Sequence, residues 1–152
     1  MLIALDPGGP ELTGLLEPIG VGYDPSATLA IDTNYIPLYK GPLDRLNLAT
    51  NKFSSHGSVT TLSRNAKTAF VITPAAGVIE KLEPAVGKNN TTMRTLERAW
   101  ADYNGNLKFD SDPIVQPAEE GEEPAAPRTE ERKEWPLAIA ASGPSTGENE
   151  YR

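Results

Sequence analysis

The stretch Asn90-Thr91-Thr92-Met93-Arg94-Thr95-Leu96-Glu97-Arg98-Ala99-Trp100-Ala101-Asp102-Tyr103-Asn104-Gly105-Asn106 decides how the fold is read. Met93, Leu96, Ala99, Trp100 and Tyr103 recur at the spacing of one face of a 3.6-residue helix. Arg94, Glu97, Arg98 and Asp102 take the opposite face. Asn90, Thr91 and Thr92 offer side-chain oxygens to the free N–H groups of a first helical turn. Asn104-Gly105-Asn106 tolerates the left-handed backbone that ends a helix. The spacing predicts one clear amphipathic helix over about 92–103, followed by a short strand at Leu107-Lys108-Phe109.

Upstream, the chain reads as short strands broken by turns. Gly57 to Leu62 is β-branched behind turn residues, and Lys67 to Ile72 is a short apolar run; both read as strands. Thr73-Pro74 offers a helix start, so Ala75 to Leu82 is read as about two helical turns, with a strand from Val78 to Leu82 as the alternative. In residues 1–50, Asp6-Pro7-Gly8-Gly9-Pro10, Asp24-Pro25-Ser26 and Lys40-Gly41-Pro42 each interrupt regular structure. Leu29-Ala30-Ile31 lies between two of them. Pro37 confines Tyr35 to Tyr39 to an edge strand or an extended arm, because it cannot donate to a ladder.

Downstream, the character changes at Pro113. Residues 117–127 are acidic, rich in proline and poor in core formers, and cannot bury enough apolar surface to offset the entropy of ordering. Glu130 to Glu134 reads as one solvated helical turn. An apolar island, Trp135 to Ala141, follows. The expected architecture is therefore α+β, with predominantly short antiparallel strands, one helix and an extended C-terminal arm. The expected division is a small β-rich domain over 1–112, turn-rich in 1–50, and a linker and arm over 113–152.

Charge is uneven along the chain. Residues 1–50 hold six acids and two bases, 51–112 eight bases and six acids, and 113–152 nine acids and four bases, for a net charge of −7. Such a chain repels phosphate backbones, so no nucleic-acid partner is expected. The basic middle (Arg64, Lys67, Lys81, Lys88, Arg94, Arg98) reads as a solvated face. No apolar run approaches the ~20 residues of a membrane span, and no signal peptide is legible at the N-terminus. A virion or the cytoplasm is the expected location.

The residues that chemistry requires are sparse. There is no cysteine and one histidine, His56, so thiol catalysis is excluded and a zinc site would lean on carboxylates. The neighbours of His56 are serines adjacent in sequence, which is not how a catalytic triad is assembled. Asp102 to Asn106, with Asp110 and Asp112, resembles the start of a calcium loop. Counted from Asp102, however, the sixth and twelfth positions are Leu107 and Pro113 rather than the required Gly and Glu. No P-loop or dinucleotide glycine motif is present. No cofactor, metal or catalytic residue is expected.

What remains is binding. The Trp135–Ala141 island behind a polar linker reads as an aromatic anchor or strand laid on another protein, with folding back onto its own core as the even alternative. Trp135, Leu137 and Ile139, with Tyr151, Tyr35 and Tyr39, are the candidate partner-binding residues. The expected function is that of a non-enzymatic structural protein in a large assembly, most concretely a phage-like capsid cement or decoration protein or a tail or neck accessory. Its partners would be other subunits, in a homo-oligomer or a hetero-complex. The alternative is a small acidic module that recruits a basic protein.

Overall fold

A computed structural model describes residues 2–82, 88–115 and 126–142. Eight strands run β1 Val21–Ile31, β2 Asn47–Thr50, β3 Lys52–Phe53, β4 Val71–Pro74, β5 Gly77–Lys81, β6 Lys88–Arg94, β7 Ala99–Asp102 and β8 Pro136–Ser142. Two helices of little more than a turn, α1 Thr13–Leu16 and α2 Thr60–Arg64, accompany them. The strands form three small antiparallel sheets, ordered β5-β1-β7, β2-β4 and β3-β6-β8. Mixed α and β content with antiparallel pairing is thus the fold. Among the described residues, no helix is long and apolar enough to cross a membrane.

The helix expected over 92–103 is absent. Residues 88–94 are β6, Glu97 and Arg98 make a turn closed by the Ala99 N–H on the Leu96 carbonyl, and 99–102 are β7. The cause lies in burial. Ala99 and Ala101 face the main core, packed with Ala27, Leu29 and Ile31 of β1, Leu48, Val78 and Trp135. Trp100 and Asp102 alternate to the other face and are buried as well. A strand covered on both sides is apolar throughout and mimics a helical stripe. The threonines 91, 92 and 95 side with the strand, since β-branching costs rotamer freedom in a helix.

Other segments also depart from the sequence reading. Residues 57–64 are a 3₁₀ turn and α2, not a strand, because the His56 ring nitrogen accepts the Ser58 N–H and caps the turn. Tyr35–Tyr39 is neither strand nor arm: Asp32 accepts the Asn34 N–H and starts a 3₁₀ turn at Thr33–Tyr35. Residues 75–82 hold the strand β5 rather than a helix, and Glu130–Glu134 is extended, with Lys133 bridging Ala99. Asp24-Pro25-Ser26 interrupts β1 without ending it. The pairing with β5 shifts register between Asp24 and Thr28, and the Asp24 carboxylate accepts both the Ser26 N–H and hydroxyl.

Residues 126–142 are extended and built into the fold. Arg128 exchanges backbone hydrogen bonds with Ile114 and pairs its guanidinium with Asp24. β8 completes a sheet by pairing with β6. Burial opposes ionisation of Asp24, but the Ser26 and Arg128 hydrogen bonds outweigh it and hold the carboxyl below its ordinary value. A depressed native pKa contributes stability above the ordinary aspartate value of 3.8, and that stability is lost as pH falls through the native value. Asp24→Asn is therefore expected to lower the urea midpoint at pH 7 while flattening its decline below about pH 4. A variant whose acid limb stays parallel to that of the parent protein would remove Asp24 from the account.

Candidate functional site

The residues singled out from sequence are scattered rather than gathered. Trp135 is 8% exposed; its backbone N–H donates to Thr95 Oγ1 at 2.8 Å, and its Nε1–H to the Ala99 carbonyl at 3.2 Å. Of the two readings of the island, folding back onto its own chain is the one found for Trp135. Leu137 and Ile139 are half-buried in β8. Tyr35 lies at the edge of the core and donates its hydroxyl to Glu97 Oε1 at 3.0 Å, while Tyr39 is exposed beneath the Arg45 guanidinium. Tyr151 lies outside the described residues.

The loop after β7 is knitted by carboxylates. Asp102 accepts the N–H groups of Asn104 and Gly105 on Oδ1, and of Leu107 on Oδ2 at 2.7 Å. Asn104 and Asn106 donate their amides to Asp110, which lowers its pKa. Glu130, almost fully buried, accepts the Tyr103 and Asp110 N–H groups; burial outweighs those bonds and raises its pKa. The expected strand at Leu107–Phe109 does not form, because Asp102 captures the Leu107 N–H and Leu107 takes a φ of 56°. Among the described residues, no group of three or more His, Asp or Glu is arranged to hold a metal.

Above this loop sits Trp100, fully buried. Phe109 meets it edge-on at 6.0 Å, and the guanidinium groups of Arg45 and Arg132 approach its ring at 5.5 and 5.9 Å. Arg132 is further held by Asp32 at 3.6 Å and by the Phe109 ring at 4.1 Å. Arg45 is thereby half-buried, while Arg132 remains exposed to solvent.

The feature that packing leaves open is the β2–β4 ribbon. Side chains alternate along β4, so Phe70, Ile72 and Pro74 share one face while Val71 and Thr73 take the other. Phe70 is 61% and Ile72 65% exposed. Leu43, 73% exposed, comes from the 3₁₀ turn Pro42–Leu46, which Asp44 caps by accepting the Lys40 and Gly41 N–H groups. Among the described residues, no third strand joins the ribbon. The Ala75 N–H donates to the Leu46 carbonyl at 2.9 Å, in continuation of the Asn47↔Pro74 register. Hydrogen-bonded and non-bonded pairs alternate in an antiparallel ladder, so Ile72 and Pro74 turn their backbone groups to the outer edge. Proline is tolerated there because its missing N–H faces away from the ladder.

Sequence reasoning missed this surface. Lys67 to Ile72 reads as a short apolar strand, and Thr73-Pro74 as a helix start. The signal that marks it is proline inside a strand register, a sign of an open edge.

Beside the ribbon lies a depression of about 450 Å³. It is lined by Pro7, Leu43, Leu46, Pro74, Ala75 and Leu107, together with Asp6 and Asp102. The rim at Asp6-Pro7 is fixed to β1: the Tyr23 hydroxyl donates to the Asp6 carbonyl, and the Gly8 N–H to that of Pro25 at 2.7 Å. Gly77 allows this approach, since a Cβ there would stand 3.1 Å from the Tyr23 ring and 3.6 Å from Pro7. No protein-family model, no curated protein and no solved structure matches this chain.

Proposed function

We propose that this chain is a non-enzymatic assembly protein, a subunit that joins a larger protein complex through the β2–β4 ribbon. The observation that carries this reading is the coincidence of an open strand edge with an apolar face made by Phe70, Ile72, Pro74 and Leu43. A two-stranded ribbon is marginal alone, and edges of this kind template pairing with another chain. Contiguous exposed apolar surface marks interaction sites. The most concrete form of the reading is an accessory component of a virion, decorating a capsid or forming part of a tail or neck.

The test is native-extract gel filtration of the full chain. The parent protein is expected to elute in a complex far above its own 16.3 kDa. Phe70→Lys with Ile72→Lys is expected to return it to the monomer position with an unchanged circular-dichroism spectrum, because lysines on an edge oppose strand pairing. Elution of the parent protein as a monomer would sink the proposal.

A further inference from the structure

We propose that the depression beside β4 receives a long basic side chain, arginine or lysine, carried by an extended segment of a partner protein that adds as a third strand to the outer edge of β4. The inference rests on the assembly reading above and names the occupant of its surface. Three observations carry it. The outer edge of β4 presents the Ile72 N–H and the Ile72 and Pro74 carbonyls, which give an incoming strand main-chain partners. The depression lies at the Pro74 end of that edge, where a side chain of the added strand can turn inward.

The third observation is charge. Most of the lining residues are apolar, with Thr28 and Gly105 among them, and the two ionisable residues, Asp6 and Asp102, are both acidic. Asp102 lies in the lining, where its carboxylate accepts three backbone N–H groups. Asp6, on the exposed rim, forms no salt bridge with any described residue. Arg45 belongs to the same turn as Leu43 and Leu46, but its guanidinium is drawn over Trp100 and Tyr39. A depression lined mostly by apolar residues, with an exposed acidic residue at its rim, suits a side chain with a methylene stem and a cationic head. Both non-glycine residues described with positive φ, Ala75 at 47° and Leu107 at 56°, shape its walls.

The probe is a blocked, alternating Thr/Val hexapeptide with one central arginine, titrated into the ¹⁵N-labelled full chain. The control is the same peptide with citrulline, which keeps the shape and loses the charge. The arginine peptide is expected to move the Phe70 and Ile72 amides and those of Ala75, Gly105 and Leu107 together. The citrulline peptide is expected to bind at least about fivefold more weakly, as is the arginine peptide to Asp6→Asn. Ile72→Pro removes the outward N–H without touching the β2 pairing and is expected to abolish the edge response. Equal binding of the two peptides, shifts confined to neither edge nor depression, or a concentration-dependent dimer that Ile72→Pro dissolves would each overturn the proposal, the last by making a second copy the occupant. In native extract, a complex that survives Asp6→Asn yet is lost with Phe70→Lys and Ile72→Lys would retain the assembly reading and discard this occupant.

Discussion

Trp135→Ala is expected to lower the unfolding free energy by about 3–5 kcal/mol, the range for truncating a large buried aromatic side chain. The indole is 8% exposed within the cluster formed by Ala99, Ala101, Leu29, Ile31 and Leu48. Truncation removes that packing and leaves the Ala99 carbonyl without the Nε1–H donor. A loss of this size is a large fraction of the roughly 5–15 kcal/mol that holds a domain folded. Urea unfolding of the full chain checks it, with an unchanged slope expected if both forms unfold in one step. A loss below about 1 kcal/mol would mean that residues 126–142 are not seated as described, since surface truncations fall in that range.

Asp102→Ala is expected to cost about 2–4 kcal/mol, because three N–H groups lose one acceptor residue at once. The cost falls short of three full orphaned donors, since Asn104 and Gly105 are exposed enough for water to replace part of the loss. Leu107 is half-buried and has the strained φ, so its conformation depends most on the carboxylate. Hydrogen exchange should show the amides of 105 and 107 losing protection together. Asp102→Asn, which keeps one acceptor oxygen, should fall between the parent protein and the alanine variant. Retention of both protected amides in the alanine variant would show that the loop stands without this carboxylate.

Short antiparallel strands and turns at Asp6–Pro10 and Asn104–Asn106 were legible because Pro, Gly and Asn act locally. The element over 92–103 was not. Met93, Leu96, Ala99, Trp100 and Tyr103 satisfy a helical period, and only the tertiary fact that both faces of β7 are covered distinguishes a strand from a helix. The island at Trp135–Ala141 was visible as apolar, but its destination was not, because Thr95 lies 40 residues away and nothing local announces that pairing. The candidate surface fared worst. Exposure of Phe70 and Ile72 is a property of what fails to cover them, and the local mark it leaves is Pro74, which is equally compatible with a helix start.

The placement of β6 bears on how the chain is made. Its neighbours are β3, encoded before it, and β8, encoded more than forty positions after it. While the ribosome is still translating the stretch between, β6 carries a bare flank of amides and carbonyls that β8 has yet to meet. Closing so wide a span is entropically slow, which places this topology among the leisurely folders rather than the microsecond ones.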